Sequence, residues 1–222
     1  MFRAVDVMVA LNDWSRKLLI LNGVEESKIR LIRHGVKEEQ VIDNRAEGRE
    51  ADKETLKLVF LGRVAPEKGI DVLLRALRLV KTRVELDIYG IGSDMGNSIS
   101  DIGNAKVRWL EPVKPEQVVE TIRKYDALVV PSVWLETGPL VVLEAFAAGV
   151  PVIGSRLGGI AEMVRDGVNG LLFKPGSSHD LADVLRRFFE KKAFLNANIT
   201  RPLNTHHVVK EHEKMYEKLH RP

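Results

Sequence analysis

Four charged side chains have the types and spacing of a binding site. Arg63 and Lys68 bracket a short loop that follows the apolar run Leu58-Val59-Phe60-Leu61 and Gly62. Glu136 and Glu144 stand eight positions apart, with seven residues between them, in ETGPLVVLE. Two cations where a strand passes through a glycine loop into a helix make an anion site, because the first N–H groups of the helix point the same way. The plainer reading is a pair of solvated surface cations. Glu144 interrupts a segment of Leu140, Val141, Val142, Leu143, Ala145, Phe146 and Ala147. Wound as a helix, that segment is apolar nearly all the way round, and such a helix is expected to be buried. A buried carboxylate is costly unless it is paired or hydrogen-bonded. No cation adjoins Glu144 in the sequence. Its partner is therefore a distant arginine, a backbone amide, or a ligand that offers hydroxyls.

The elements that must position these groups follow from punctuation. Leu128–Val130 is an apolar strand end closed by Pro131, and a loop carries Glu136. Gly138-Pro139 opens a helix expected to run to about Ala148, since proline suits a first helical position that needs no N–H. Gly149 ends it. Val150–Ile153 reads as a buried strand, Gly158-Gly159 opens a helix over Ile160–Arg165, and Leu171–Phe173 is a further strand after the turn Asp166–Gly170. Upstream, Leu58–Leu61, Val84–Tyr89 and Lys106–Leu110 read as strands. Ile70–Val80 and Pro115–Tyr125 read as helices, the first with Leu73, Leu74, Leu77 and Val80 on one face. Strands alternating with helices through short glycine turns predict a parallel α/β sheet, whose ligands bind at the carboxyl ends of the strands. The glycines of Gly90-Ile91-Gly92-Ser93-Asp94-Met95-Gly96 are a weak dinucleotide signal, better read as a turn lining a pocket. Trp109 can stack on a base, but an aromatic residue inside a strand more often belongs to the core.

The 45 residues from Pro131 to Pro175, together with GRVAPEKG at 62–69, closely resemble the donor-binding half of the group 1 (family 4) retaining glycosyltransferases. Many members carry an aromatic residue and a glycine where this chain has Gly138 and Pro139, and the proline removes one backbone donor. The resemblance implies a Rossmann-like parallel sheet with helices on both faces, the C-terminal half of a glycosyltransferase B-type fold. It implies transfer of a sugar, with retention, from a nucleoside diphosphate-sugar to an acceptor that is a sugar, lipid or polysaccharide. Arg63, Lys68 and Glu136 are then the catalytic set. Arg63, Lys68, Val113, Gly138, Leu140, Val141 and Glu144 hold the donor. Glu144 would take the ribose hydroxyls and Glu136 the sugar, while the loop Glu111-Pro112-Val113 abuts the base. The spacing agrees: Glu144 lies about five residues into its helix, roughly 7–8 Å along the axis at about 1.5 Å per residue, a span similar to that from phosphates to ribose. The scheme needs no metal and no cofactor beyond the donor.

The whole chain bounds these readings. It has 222 residues, 45% of them hydrophobic and 29% charged, as in ordinary globular proteins. A net charge of +3 is too small to argue for nucleic acid, and the absence of cysteine excludes disulfides and thiolate metal sites. Neither a signal peptide nor an apolar run long enough for a membrane span is apparent, so the expected location is cytoplasmic, with peripheral contact at the inner face of a membrane allowed. Residues 1–36, with expected strands Val5–Leu11 and Lys28–Ile32 around a helix capped by Asn12 or Asp13, resemble the last strand–helix–strand of the family's N-terminal acceptor domain. Residues 37–55 hold eleven charges in nineteen positions and read as a linker. Residues 56–192 are the donor domain. Residues 193–222 carry a polar helix, Val208–Leu219, expected to cross back to the N-terminal domain. His207 and Glu211 at helical spacing are read as a solvated face rather than a metal site. On the resemblance the chain is a fragment, expected to be inactive alone as a hexosyltransferase. The competing readings are a nucleotide-sugar epimerase of the same architecture and a non-catalytic nucleotide-binding module.

Overall fold

A computed structural model describes residues 4–37, 54–92, 98–199 and 201–219. Most of the expected linker, residues 38–53, and the turn residues 93–97 lie outside these ranges. Two sheets are present among the described residues. In the smaller, β1 (Met8–Ala10) pairs in parallel with β2 (Ile29–Leu31) across helix α1 (Asp13–Leu21). Both strands are shorter than the apolar runs suggested. Asn12 caps α1: its side chain accepts from the Ser15 amide, while Ser15 Oγ accepts from the Asn12 amide.

The larger sheet has seven strands. They are β3 (Thr55–Arg63), β4 (Arg83–Ile91), β5 (Ser98–Ile102), β6 (Ala105–Leu110), β7 (Ala127–Val130), β8 (Val152–Ser155) and β9 (Gly170–Phe173). Their order is β5-β6-β4-β3-β7-β8-β9, and all pairs are parallel except β5 with β6. Strand β5 was not expected. Its residues alternate between half-buried and exposed on an edge, so it lacks the apolar run that marks a parallel strand buried on both faces.

Helices cover both faces. On one side α2 (Ile70–Leu77) and α6 (Ser178–Ala197) bury Leu73, Leu77, Leu181, Leu185 and Phe188 against Leu58, Phe60, Leu86 and Ile88. On the other, α3 (Val118–Ile122) and α4 (Leu140–Ala147) bury Ile122, Val142, Ala145 and Phe146 against Val59, Leu128 and Val130, joined by Ile160 of α5 (Gly158–Met163). Strand β3 thus looks one way with its even residues and the other with Val59 and Leu61, as a doubly covered parallel strand must. Several helices start or stop earlier than their patterns suggested. The expected helix at 115–125 is a 3-10 turn, Pro115–Gln117, followed by α3, and α2 ends at Leu77 rather than Val80.

Helix α4 departs most from expectation. Leu140 is 51% exposed, and Val141, Leu143 and Glu144 are only half-buried. Val142, Ala145, Phe146 and Ala147 are buried as expected, whereas Val141 and Leu143 border open hollows. The last helix, α7 (Thr205–Leu219), follows a segment bonded to the end of the small unit: the Val36 amide donates to the Leu203 carbonyl, and the Thr205 amide donates to the Val36 carbonyl. No helix among the described residues is long and apolar enough to cross a membrane.

Candidate functional site

The chain leaves β3 to build β4 and β6 on one side, then returns to build β7, β8 and β9 on the other. The sheet therefore reverses direction between β3 and β7, and a crevice opens outside the carboxyl ends of strands at such a point. Gly62 and Arg63 end β3 and Lys68 follows it, while Ser132, Glu136 and α4 follow β7. The sequence-expected residues thus arrive together because of strand order, although the two groups are some seventy positions apart.

The two loops are stitched to each other. The Val133 amide donates to the Glu67 carbonyl at 3.0 Å. Gly69, with φ +67, sits so close to the β7 exit that a Cβ there would lie 2.0 Å from the Pro131 carbonyl oxygen. Only glycine combines that conformation with that approach. The result is an ion pair between loops: Lys68 Nζ donates to Glu136 Oε1 at 2.5 Å, and Ser132 Oγ donates to the same oxygen at 2.8 Å. Both charged side chains are mostly buried, 26% and 18% exposed. Arg63 lies further out. It is 64% exposed and donates to Glu67 at 3.1 Å.

The backbone of Glu136 is held from a third direction. The Gly159 amide, at the start of α5, donates to the Glu136 carbonyl at 2.7 Å. A Cβ on Gly159 would stand 2.8 Å from the carbonyl oxygens of both Glu136 and Thr137. The adjoining Thr137 carbonyl accepts from the Asn12 side-chain amide of the small unit. On α5, Glu162 accepts from the Asp13 and Trp14 amides at 3.0 and 3.1 Å and pairs with Arg33. Residues 4–37 therefore dock on α5 and on the Glu136 loop, using the exposed N–H groups that begin α1.

Helix α4 divides two hollows. Val141 and Glu144, three residues apart, line one of about 240 Å³ with Leu61, Gly62, Tyr89, Pro112, Val113 and Val118. Leu143 and Phe146 line another of about 330 Å³ on the opposite side, which also takes in His34, Gly138 and Arg165. Among the expected donor-binding residues, Val113, Val141 and Glu144 share the first hollow. Gly138 belongs to the second, where the His34 ring would lie 3.3 Å from a Cβ on Gly138. Leu140 projects outward between them. Pro139 is the cap of α4 rather than its first residue, with φ −65 and ψ 115, and no side chain caps the helix.

Glu144 has no side-chain hydrogen bond or ion pair among the described residues. Neither the distant arginine nor the backbone amide weighed from sequence is its partner. Burial pushes its carboxyl pKa above the ordinary carboxylate value. Trp109 is 6% exposed and packs in the core beneath α2, so it is not available to stack on a ligand. Sequence reasoning did not place Ser132, Gly159, Asn12 or Tyr89 at the site, and it read Asn12 and Gly159 only as helix starts. Ser132 and Tyr89 were detectable only as polar residues at strand ends. The positions of Gly159 and Asn12 depend on docking between units.

A family model described as Glycosyl transferases group 1 matches residues 41–201. Among curated proteins, the D-inositol 3-phosphate glycosyltransferase of Nocardioides sp. is 30% identical, over 86% of this chain and 47% of that protein. The one from Thermobifida fusca is 38% identical, over 61% of this chain and 35% of its own length. The chain spans about half the length, or less, of these curated relatives. Among solved structures, Anabaena Alr3699/HepE in complex with UDP-glucose superposes with a TM-score of 0.75 at 20% identity, over 98% of this chain and 64% of that one. Sucrose-phosphate synthase from Thermosynechococcus elongatus gives 0.79 at 19% identity, over 98% and 59%. Both are likenesses of fold.

Proposed function

The chain belongs to the group 1 glycosyl transferases, and from that premise we propose that it is the donor-binding part of a retaining glycosyltransferase. Its sheet is the C-terminal, Rossmann-like half of a glycosyltransferase B-type fold. The donor is a nucleoside diphosphate-sugar. The acceptor is a hydroxyl-bearing sugar, lipid or polysaccharide, and a lipid acceptor would bring the protein to the inner face of a membrane.

The observation that carries the reading is Glu144. A half-buried carboxylate without a hydrogen-bond or ion-pair partner among the described residues, in the wall of a hollow at the sheet's reversal point, is held for a ligand. Ribose supplies the two hydroxyl donors that such a carboxylate accepts. Val113 and Pro112 would flank the base. The diphosphate then runs toward the cap of α4 and the β3 loop. Lys68 has three N–H donors and spends one on Glu136, which leaves two for phosphate oxygens. Arg63, exposed and paired with Glu67, can swing onto the same group.

The reaction breaks the bond between the anomeric carbon and the β-phosphate oxygen and forms a bond from that carbon to the acceptor hydroxyl. The acceptor proton leaves to the departing diphosphate. Charge accumulates on the diphosphate in the transition state, where Lys68 and Arg63 lower its energy. Glu136, fixed by Lys68, Ser132 and Gly159, would receive hydroxyls of the donor sugar. Nothing in this scheme calls for a metal ion or a further cofactor. Calorimetry of the 222-residue protein with UDP, GDP and ADP, then with their sugars, tests the reading. Binding that requires the diphosphate is expected. Absence of binding to all three would overturn it.

A further inference from the structure

Behind the wall of the donor hollow, a chain of polar groups runs through the α3 side of the sheet. Glu85, Asp87 and Tyr89 alternate along β4, so all three face that side. Arg108 of the neighbouring β6 donates to Asp87 through Nε at 2.5 Å and Nη2 at 3.1 Å, and to Glu85 at 3.3 Å. Tyr125, just beyond α3, donates its hydroxyl to Asp87 Oδ2 at 2.5 Å. The hydroxyls of Tyr125 and Tyr89 are 3.1 Å apart. Asp87 and Tyr125 are 5% and 6% exposed, whereas Tyr89 is half-buried and lines the hollow beside Glu144.

Proton counting sets the direction of every bond in this chain. Asp87, gripped by two guanidinium N–H groups, is the acceptor of its ion pair. Tyr125 has one proton and directs it to Asp87. Burial first, and then that bond, push the Tyr125 hydroxyl pKa upward, so the proton stays in place. In the contact between the two tyrosines, Tyr125 can then only accept, and Tyr89 must donate. Tyr89 is left with lone pairs alone for the hollow. Each bond polarises the next, which strengthens this ordering.

We infer that Tyr89 is a specificity-determining residue, a hydroxyl locked as an acceptor that selects a nucleobase presenting an N–H edge to the wall between Val113 and Val118. The inference rests on the donor-binding reading of the hollow. A ribose hydroxyl is the other group with the same donor chemistry. Glu144 is the group suited to ribose, and Pro112, Val113 and Val118 put Tyr89 on the base side.

The test uses whichever of UDP, GDP and ADP binds most tightly. It adds that nucleotide's analogue methylated on the donor nitrogen of the base, and its 2′-deoxy form. Tyr89→Phe, which removes one half-buried oxygen and keeps the ring, should bind the parent about three- to tenfold more weakly, as for loss of one neutral hydrogen bond. It should bind the methylated analogue as well as the unaltered protein does. Tyr125→Phe, which keeps the Tyr89 hydroxyl but frees its proton, should narrow the preference for parent over methylated base. A packing role would not move that ratio. Undiminished parent binding by Tyr89→Phe, or equal loss for parent and methylated analogue, overturns the inference alone. So does a Tyr89 effect that vanishes only on the 2′-deoxy form. Failure of the unaltered protein to bind any of the three diphosphates overturns the donor reading as well.

Discussion

Replacing Lys68 with alanine separates the two tasks assigned to that side chain. In the free protein it pairs with Glu136 at 2.5 Å, with exposures of 26% and 18%. Ser132 Oγ, at 2.8 Å, stays on the carboxylate after the change. The pair is neither fully exposed nor sealed, so its loss should cost at most about 1 kcal/mol of stability. For a chain of this size that lowers Tm by about 2–4 °C. Binding should suffer more. Hydrogen bonds to charged groups contribute about 1.5–3 kcal/mol each. Solvent access argues for the lower end, so loss of the ammonium should weaken a nucleoside diphosphate about tenfold or somewhat more. Titration calorimetry with nucleoside, monophosphate and diphosphate, alongside a melting curve, measures both quantities. The nucleoside should bind Lys68→Ala and unaltered protein equally, and the diphosphate should lose most. The double variant Lys68→Ala/Glu136→Gln should recover part of the stability but none of the diphosphate affinity. An equal loss for nucleoside and diphosphate would refute the reasoning, because the loop would then only support the fold.

Three other substitutions test neighbouring steps. Arg63→Ala should cost less than Lys68→Ala in diphosphate affinity, about three- to fivefold, and leave Tm unchanged, since the guanidinium is 64% exposed and pairs with Glu67, four residues along. Glu144→Gln should stabilise the free protein at pH 7 to 8. Burial raises the native carboxyl pKa above the value of about 4.3 expected unfolded. As pH rises between the two values, the unfolded chain loses its proton first, so wild-type stability falls there and stays lower above. The Tm advantage of Glu144→Gln should therefore shrink toward zero near pH 4, while its affinity for ribonucleotides falls at neutral pH. Gly69→Ala combines a left-handed backbone with a Cβ 2.0 Å from the Pro131 carbonyl oxygen. It should lose about 3 kcal/mol or more and lower Tm by roughly 6 °C or beyond, visible in the same melting curves.

Much of this architecture was legible because it is local. The runs at β3, β7, β8 and β9 are apolar on both faces and bounded by glycine or proline, so their type follows from neighbours within a few residues. The same holds for the periodic leucines of α2 and for the cap Asn12. The charged candidates could be named too, because Arg63, Lys68 and Glu136 sit at or beside element ends set by chain punctuation, and Glu144 is the one charge in an apolar helix. Strand β5 was not, since an exposed edge needs no apolar signature. Helix α4 misled in part, because a run of apolar side chains looks the same whether it faces a packed core or an open hollow.

By itself, then, the sequence determined most of the strands and helices, where the sheet turns over to loops, and which side chains could do chemistry. Tertiary structure alone decided that Lys68 meets Glu136 across 68 positions, and that Gly159 and Asn12 hold the Glu136 loop. It also decided that Glu144 has no hydrogen-bond or ion-pair partner among the described residues, and that Arg108, Asp87, Tyr125 and Tyr89 join in one polar chain. The physical reason is range. Periodicity and capping reflect energies between residues a turn or a pleat apart. The placement of β3 beside β7, rather than beside another strand, is settled by the packing of the whole sheet and its helices, and every one of those long-range contacts follows from that order.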